Sequence, residues 1–354
     1  MIENLFFELV RVAVGAQERL SRIPSEVEWE ILYKTCEAHA VLGVVFSALE
    51  RLTEYGIKPP ISILYEWIGV VEQIKQRNSR MNNRCIELHK IFAEVGLMAC
   101  VLKGQGNALM YPEPLLRQSG DIDIWVDGSK DNVVGFVQKQ FRDATIGEHH
   151  VEYPIFDDVM VEVHFKPVTA VSFLRDKHLQ SYLNAMREAQ FNHFVILHDS
   201  DEKIPIPSYD FNIVYQLAHM MRHFFSEGLG MRHLMDYYYL LMSNDCSKNK
   251  DISGVLGELG MLKFAKAIMW VLGEVFMLDR NKMVCSPDKK RGVIILKEIM
   301  ETGNFGYGDK RFSKRLMNIS TTMSLLVRNF KLIRLFPEEA IAAPISNVVY
   351  RMQK

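Results

Sequence analysis

The chain has 354 residues, 48% hydrophobic and 24% charged, with a formal net charge of −1. Its length allows two or three units, and its composition is that of a globular protein rather than a disordered or fibrous one. A charge so close to zero gives no global field that would draw the molecule to nucleic acid, so no specific nucleic-acid partner is expected.

Five cysteines (Cys36, Cys85, Cys100, Cys246, Cys285) are scattered through apolar segments without a CxxC pair. They read as reduced, buried thiols and suggest no zinc site. The N-terminus lacks a basic segment followed by a long apolar run. The most apolar segment, Phe264 to Leu278, is broken by Lys266 and Glu274 and is too short to span a bilayer. The expectation is a cytoplasmic protein without a signal peptide or transmembrane segment.

Residues 1–96 read as a helical region. Leu5, Leu9, Val12 and Ala16 recur at helical spacing. Pro24-Ser25 opens a second helix through Trp29, Leu32, Tyr33 and Cys36, and a long helix from about Ser62 to Val95 ends at Gly96. Residues 97–170 change in texture. Met98 to Leu102 reads as a buried strand, Lys103-Gly104-Gln105-Gly106 as a turn, and Asn107 to Met110 as a short helix stopped by Pro112 and Pro114. Asp121 to Val126 is an acidic strand, and Ser129 caps a helix through Val134 and Phe141. Strands follow near His150 to Ile155 and at Val159 to Phe165, completing an α/β or α+β unit. Residues 171–354 read as helical again, with apolar helices over Ser208 to Leu241, Val255 to Phe276 and Val293 to Glu301. No internal repeat or low-complexity tract is found.

The chemistry concentrates in the middle unit. Asp121 and Asp123, one residue apart in a strand, share a face while Ile122 and Ile124 point into a core. Carboxylates set side by side repel each other and lose hydration unless a cation sits between them, and a hard divalent ion with oxygen ligands meets that need. In Val159 to Phe165 the same alternation puts Glu162 and His164 opposite an apolar face. These two residues either form a solvated outer face or bring a third carboxylate beside the first two. Three carboxylates can hold two magnesium or manganese ions, and Glu162 could also take a proton from an attacking hydroxyl.

Leu102-Lys103-Gly104, Tyr111-Pro112, Leu116-Arg117, Gly120-Asp121-Ile122-Asp123 and Val161-Glu162-Val163-His164 together resemble the bacterial uncharacterised nucleotidyltransferase-like family. That family falls within the DNA polymerase beta-type nucleotidyltransferase superfamily. The resemblance extends to His219-x-x-x-His223 and to Gly228 through Asp236, so it spans about residues 97 to 240. It implies an α+β fold in which a small, mixed-sheet, palm-like core is flanked by helical regions. It also implies transfer of a nucleoside monophosphate from a triphosphate to a hydroxyl acceptor. Asp121, Asp123 and Glu162 would be the metal-binding and catalytic acids, and Lys103, Gly104, Gly106 and Arg117 would meet phosphate. The superfamily usually carries Gly-Ser in its phosphate turn, whereas this chain has Gly104-Gln105 and Gly106-Asn107, set further from the acids. The altered turn keeps a second reading open, a catalytically inactive nucleotide- or partner-binding module on the same fold.

Lys103 and Arg117 also have plain alternatives. Lys103 could be a lysine reaching past a strand end to water, and Arg117 could pair with an acid or cap a carbonyl. His219 and His223 share a helix face but lack the Glu of HExxH, so a buried polar cluster with Arg232 and Asp236 is favoured over zinc. In the resembling family this set faces the cleft, which makes His164, His219, His223, Arg232 and Asp236 candidate acceptor or base contacts. The basic tail (Lys310, Arg311, Lys314, Arg315, Arg328, Lys331, Arg334), interleaved with Leu325, Leu326, Val327, Phe330, Ile333 and Leu335, reads either as a helix packed on its own protein or as a surface for an acidic partner or membrane.

Overall fold

The computed structural model describes residues 2–243, 251–306 and 328–352. Four helices come first: α1 (Ile2–Ala13), α2 (Glu26–Ala38), α3 (Leu42–Thr53) and α4 (Ile61–Glu94). Ser25 starts α2 through a reciprocal cap. Its hydroxyl accepts from the Glu28 amide and the Glu28 carboxylate accepts from the Ser25 amide, which satisfies two otherwise orphan donors. The long helix α4 belongs to two cores. Ile63, Trp67, Val71 and Ile74 pack with the first three helices, whereas Met81, Cys85, Leu88 and Phe92 pack against a sheet. Both sets follow the three-to-four-residue spacing of one helix face.

The sheet contains β1 (Ala99–Val101), β2 (Ile122–Val126), β3 (His150–Glu152) and β4 (Val161–His164) in the order β1-β2-β4-β3. β2 and β4 run parallel, and the outer strands pair antiparallel to them. A short helix, α5 (Gln105–Ala108), follows β1, and α6 (Lys130–Gln140) follows β2, capped by the Ser129 hydroxyl. Ile122, Ile124, Val126, Val161 and Val163 bury one sheet face against α4 and α6. Alternation sends Asp123, Trp125, Glu162 and His164 to the other face.

The remaining helices cover that second face in part. They are α7 (Phe173–Ala185), α8 (Arg187–Phe191), α9 (Tyr209–Ser226), α10 (Met231–Met242), α11 (Ile252–Glu258), α12 (Leu262–Phe276), α13 (Lys289–Thr302) and a last described helix, Pro337–Met352. Trp125 lies under Phe191 of α8 and Phe211 of α9, with ring centroids 4.8 and 5.7 Å away. The far end of the face is therefore sealed, while Asp123 and Glu162 at the near end open on a cleft. Buried residues of α9, α10 and α12 join those of α1, α2 and α3 in a single hydrophobic cluster.

Helices on either side of a small mixed sheet make this an α+β fold, as expected. One element departs from the sequence reading. A two-stranded ribbon, β5 (Phe194–Ile196) paired with β6 (Lys203–Pro205), interrupts the region read as helical from Val171 onward. Its strands are three residues long and β5 exposes Phe194 and Ile196, so alternation is too brief to register as a strand.

Cys36, Cys85, Cys100 and Cys285 are buried free thiols. Cys246 lies outside the described residues, as do Lys310, Arg311, Lys314, Arg315, Leu325, Leu326 and Val327 of the basic tail. In its described part, Leu332, Leu335 and Phe336 enter the core while Phe330 stays exposed. No described helix is long and apolar enough to cross a membrane.

The loop that carries Arg117 toward the cleft rests on α3. A Cβ on Gly43 would meet the Leu116 carbonyl oxygen at 2.1 Å, with backbone on both sides of the clash. Gly43→Ala is expected to cost about 3 kcal/mol through overpacking, read as a lower urea midpoint at unchanged slope.

Candidate active site

The cleft lies between the polar end of the sheet and helices α9 and α10, and encloses about 190 Å³. Parallel pairing of β2 and β4 places Asp123 directly opposite Glu162, and Asp121 precedes β2 on the same alternation. All three carboxylates line the cleft. The turn after β1 supplies their first counter-charge. Lys103 Nζ lies 2.9 Å from Asp123 Oδ1 and donates to His219 Nε2 at 2.7 Å. Gly104 follows at φ +52°, ψ −109°, a conformation that a side chain would strain.

Histidines supply the rest. His164 Nε2 is 3.0 Å from Asp123 Oδ1 and 3.5 Å from Glu162 Oε2, and His150 Nδ1 is 3.3 Å from Glu162 Oε2. Burial pushes the Asp121 carboxyl up, and the charge of Asp123 pushes it further. Burial acts the same way on Asp123, but Lys103 and His164 outweigh it and hold that carboxyl far below its ordinary range. Glu162 is also held low against burial, chiefly by the hydrogen bond from His164. Burial would depress His164 itself, yet its two carboxylate partners raise it to about 9. Burial holds His219 and His233 well below the ordinary histidine value, aided by the charges of Lys103 and Arg232 respectively.

Arg117 and Asp236, which also line the cleft, form a buried bidentate pair. Arg117 Nε and Nη2 donate to the two Asp236 oxygens at 2.7 and 2.6 Å, and Tyr111 Oη and Asn107 Nδ2 donate to the same carboxylate. The guanidinium expected at a phosphate thus also has an internal acidic partner. Arg232 lines the cleft and its Nη1 donates to the Gln118 carbonyl. Gly104 lines the cleft, whereas Gly106 packs on Ile206. Gln105, which follows Gly104, is buried and bonded to Asn82, the Asn78 carbonyl and Ser119.

Several cleft residues were not assigned from sequence. His149 and His150 line it, and His149 Nδ1 is buried without a hydrogen-bond partner among the described residues. The strand register that pairs His150 with His164 was the missing signal. Arg222, inside the HxxxH span, reaches Glu148 at 2.7 Å, and His233 completes a group with His219 and His223.

Over residues 25–277 the chain matches the model of a family described as an uncharacterised nucleotidyltransferase. The chain belongs to that family. No curated protein and no solved structure matches it. Membership makes a nucleotidyltransferase the general class.

Two stability effects follow from this charge arrangement. His164 is raised to about 9, and the unfolded ring titrates near 6.5. Its protonation therefore stabilises the metal-free fold fully below 6.5 and is lost as pH rises through 9. The expected loss is on the order of 3 kcal/mol. Chemical denaturation of chelator-treated protein across that window should show the decline, and His164→Gln should flatten it. Separately, Asp236→Ala strands the buried Arg117 charge and is expected to cost about 3–5 kcal/mol. Adding Arg117→Met should recover part of that loss, and a single-variant loss below about 1 kcal/mol would show the pair to be unimportant.

Proposed function

We propose that this protein is a metal-dependent nucleotidyltransferase that moves a nucleoside monophosphate from a nucleoside triphosphate to a hydroxyl acceptor and releases pyrophosphate. The observation carrying this reading is the β2–β4 register. It sets Asp123 against Glu162, with Asp121 beside them, at the cleft of a nucleotidyltransferase family member. A small mixed sheet with its acids on adjacent parallel strands supports placing the core in the polymerase beta-type superfamily.

The residues fit a hard divalent cation. Asp121 is buried beside a second carboxylate, which disfavours its charged form until a cation is added, and Asp123, Glu162 and His164 bring ligand atoms within 4.8 Å of one another. Oxygen donors suit magnesium or manganese, and Asp121, Asp123 and Glu162 would hold two such ions. Bound there, the ions supply neutralisation of the triphosphate charge and polarisation of the reacting oxygens.

The chain's own groups do the rest. Glu162, kept ionised by His164 and His150, accepts the acceptor hydroxyl's proton at its carboxylate. Lys103 gives the triphosphate a point charge once Asp123 has another cation, and Gly104 leaves the backbone open to a phosphate's approach. Arg117 positions rather than binds, holding α10 against the loop before β2 through Asp236. His219, His223 and Arg232 on the opposite wall face the acceptor or the base.

One observation favours the second reading, a binding module without catalysis. Lys103 already neutralises Asp123, and the buried Gln105 cannot offer a serine-like hydroxyl to phosphate. Pyrophosphate release and thermal shift, measured with each triphosphate plus magnesium or manganese, separate the two. Transfer predicts release that falls at least about 100-fold in Asp123→Asn and in Glu162→Gln. Stabilisation by a triphosphate with no release in the wild type, across an acceptor screen, would establish the binding module instead. If no triphosphate stabilises the protein, the transfer reading and a nucleotide-binding module both fall, and only a partner-binding module is left.

A further inference from the structure

Opposite the carboxylates, the cleft carries a second group of ligand-type side chains, to which the transfer reading gives no part beyond facing the acceptor or the base. His219 and His223 lie one turn apart on the same face of α9, and His233 comes from the first turn of α10. One ring nitrogen from each lies within 4.8 Å of the other two, and His219 Nε2 and His223 Nε2 are 2.9 Å apart. We propose that His219, His223 and His233 form a binding site for a borderline transition-metal ion of the zinc class, separate from the carboxylate site and open to the cleft at its remaining position.

Geometry supports the assignment in three ways. First, the Lys103 ammonium can only donate, so its 2.7 Å contact makes His219 Nε2 an unprotonated acceptor, and the same nitrogen lies 2.9 Å from His223 Nε2. Second, His223 Nδ1 faces Glu227 Oε2 at 3.0 Å. The carboxylate can only accept, so that nitrogen carries a proton and the opposite one is turned toward His219. A carboxylate behind a ligating imidazole is the usual outer support of a histidine metal site. Third, nitrogens about 2.0–2.1 Å from a tetrahedral zinc stand about 3.4 Å apart, between the 2.9 Å that separates His219 Nε2 from His223 Nε2 and the 4.8 Å within which one nitrogen of each ring lies.

Nitrogen donors set this site apart from its neighbour. Imidazole selects zinc, copper or nickel over magnesium, whereas the opposing carboxylates select the reverse. Each nearby cation faces acids of its own: Arg222 pairs with Glu148 at 2.7 Å, Lys103 with Asp123 at 2.9 Å, and Arg232, whose charge acts on His233, lies in the field of Asp236 and Asp121. Three protein ligands and an open position describe a site that can also hold a phosphate oxygen or a hydroxyl.

Cobalt(II) alone, titrated into tag-free, chelator-stripped full-length protein, tests the proposal. The expected result is a saturable visible absorption band of nitrogen-ligated cobalt that zinc abolishes and excess magnesium leaves in place. The band should vanish in His219→Gln/His223→Gln, survive in Asp123→Asn/Glu162→Gln, and need about 10- to 100-fold more metal in Glu227→Gln. Absence of the band in the wild type, or its survival without the two histidines, overturns the proposal. Should the double histidine variant fail to fold, an unchanged cobalt affinity in Glu227→Gln overturns it equally. The measurement uses no triphosphate and no turnover, so its failure leaves the transfer reading intact, and failure of transfer leaves this site intact.

Discussion

Two carboxylates held face to face on a covered strand pair are the constraint around which the rest of the site is arranged. The backbone ladder between β2 and β4 sets Asp123 opposite Glu162, and neither can drift away without breaking strand pairing. In water the repulsion would be slight, but at the lower effective dielectric of a protein cleft it reaches several kcal/mol. Compensation comes from two different elements. Lys103 arrives from the end of β1 and His164 from β4 itself. Because Lys103 also bonds His219, the charge balance of the sheet extends to α9 and fixes how the helical half meets it.

A second, uncharged-to-solvent network holds that half in place. Asp236 on α10 takes four donors, from Arg117, Tyr111 and Asn107, and Arg117 passes through Ser119 to Gln105. Gln105 in turn reaches Asn82 on α4. Buried polar chains of this kind are costly when any member lacks a partner and specific when all are satisfied. Here the chain ties the turn after β1, the loop before β2, the long helix and α10 into one frame. The cleft is thus a gap between elements whose backs are locked together.

Part of this was legible in the sequence because it follows from short-range rules. Strand alternation alone put Asp121 and Asp123 on one face and Glu162 with His164 on another, and Ser25, Ser129 and Gly96 marked helix ends by local chemistry. The parallel register that brings Asp123 to Glu162 depends on a pairing across almost forty residues, so only their common orientation could be read. Arg117 shows the limit most clearly. Nothing near it in the chain announces Asp236, 119 positions away, and a guanidinium beside a phosphate turn looks the same whether its partner is a ligand or a buried carboxylate. The ribbon of β5 and β6 escaped for the opposite reason, being too short for any periodicity to separate it from helix.

The cleft has two walls of different chemistry, oxygen donors on the sheet and nitrogen donors on α9 and α10, and Lys103 stands between them. Its ammonium is shared by Asp123 Oδ1 at 2.9 Å and His219 Nε2 at 2.7 Å. A cation on the sheet wall competes for Asp123 and sends the ammonium toward the helices or into the cleft. A metal on the histidine wall takes the His219 lone pair and leaves the ammonium with Asp123. Either event changes the charge that the other wall meets, because the lysine is shared between them. The groups that make the metal-free site electrostatically tolerable, Lys103 and His164, are therefore the ones with which a cation at Asp123 must compete.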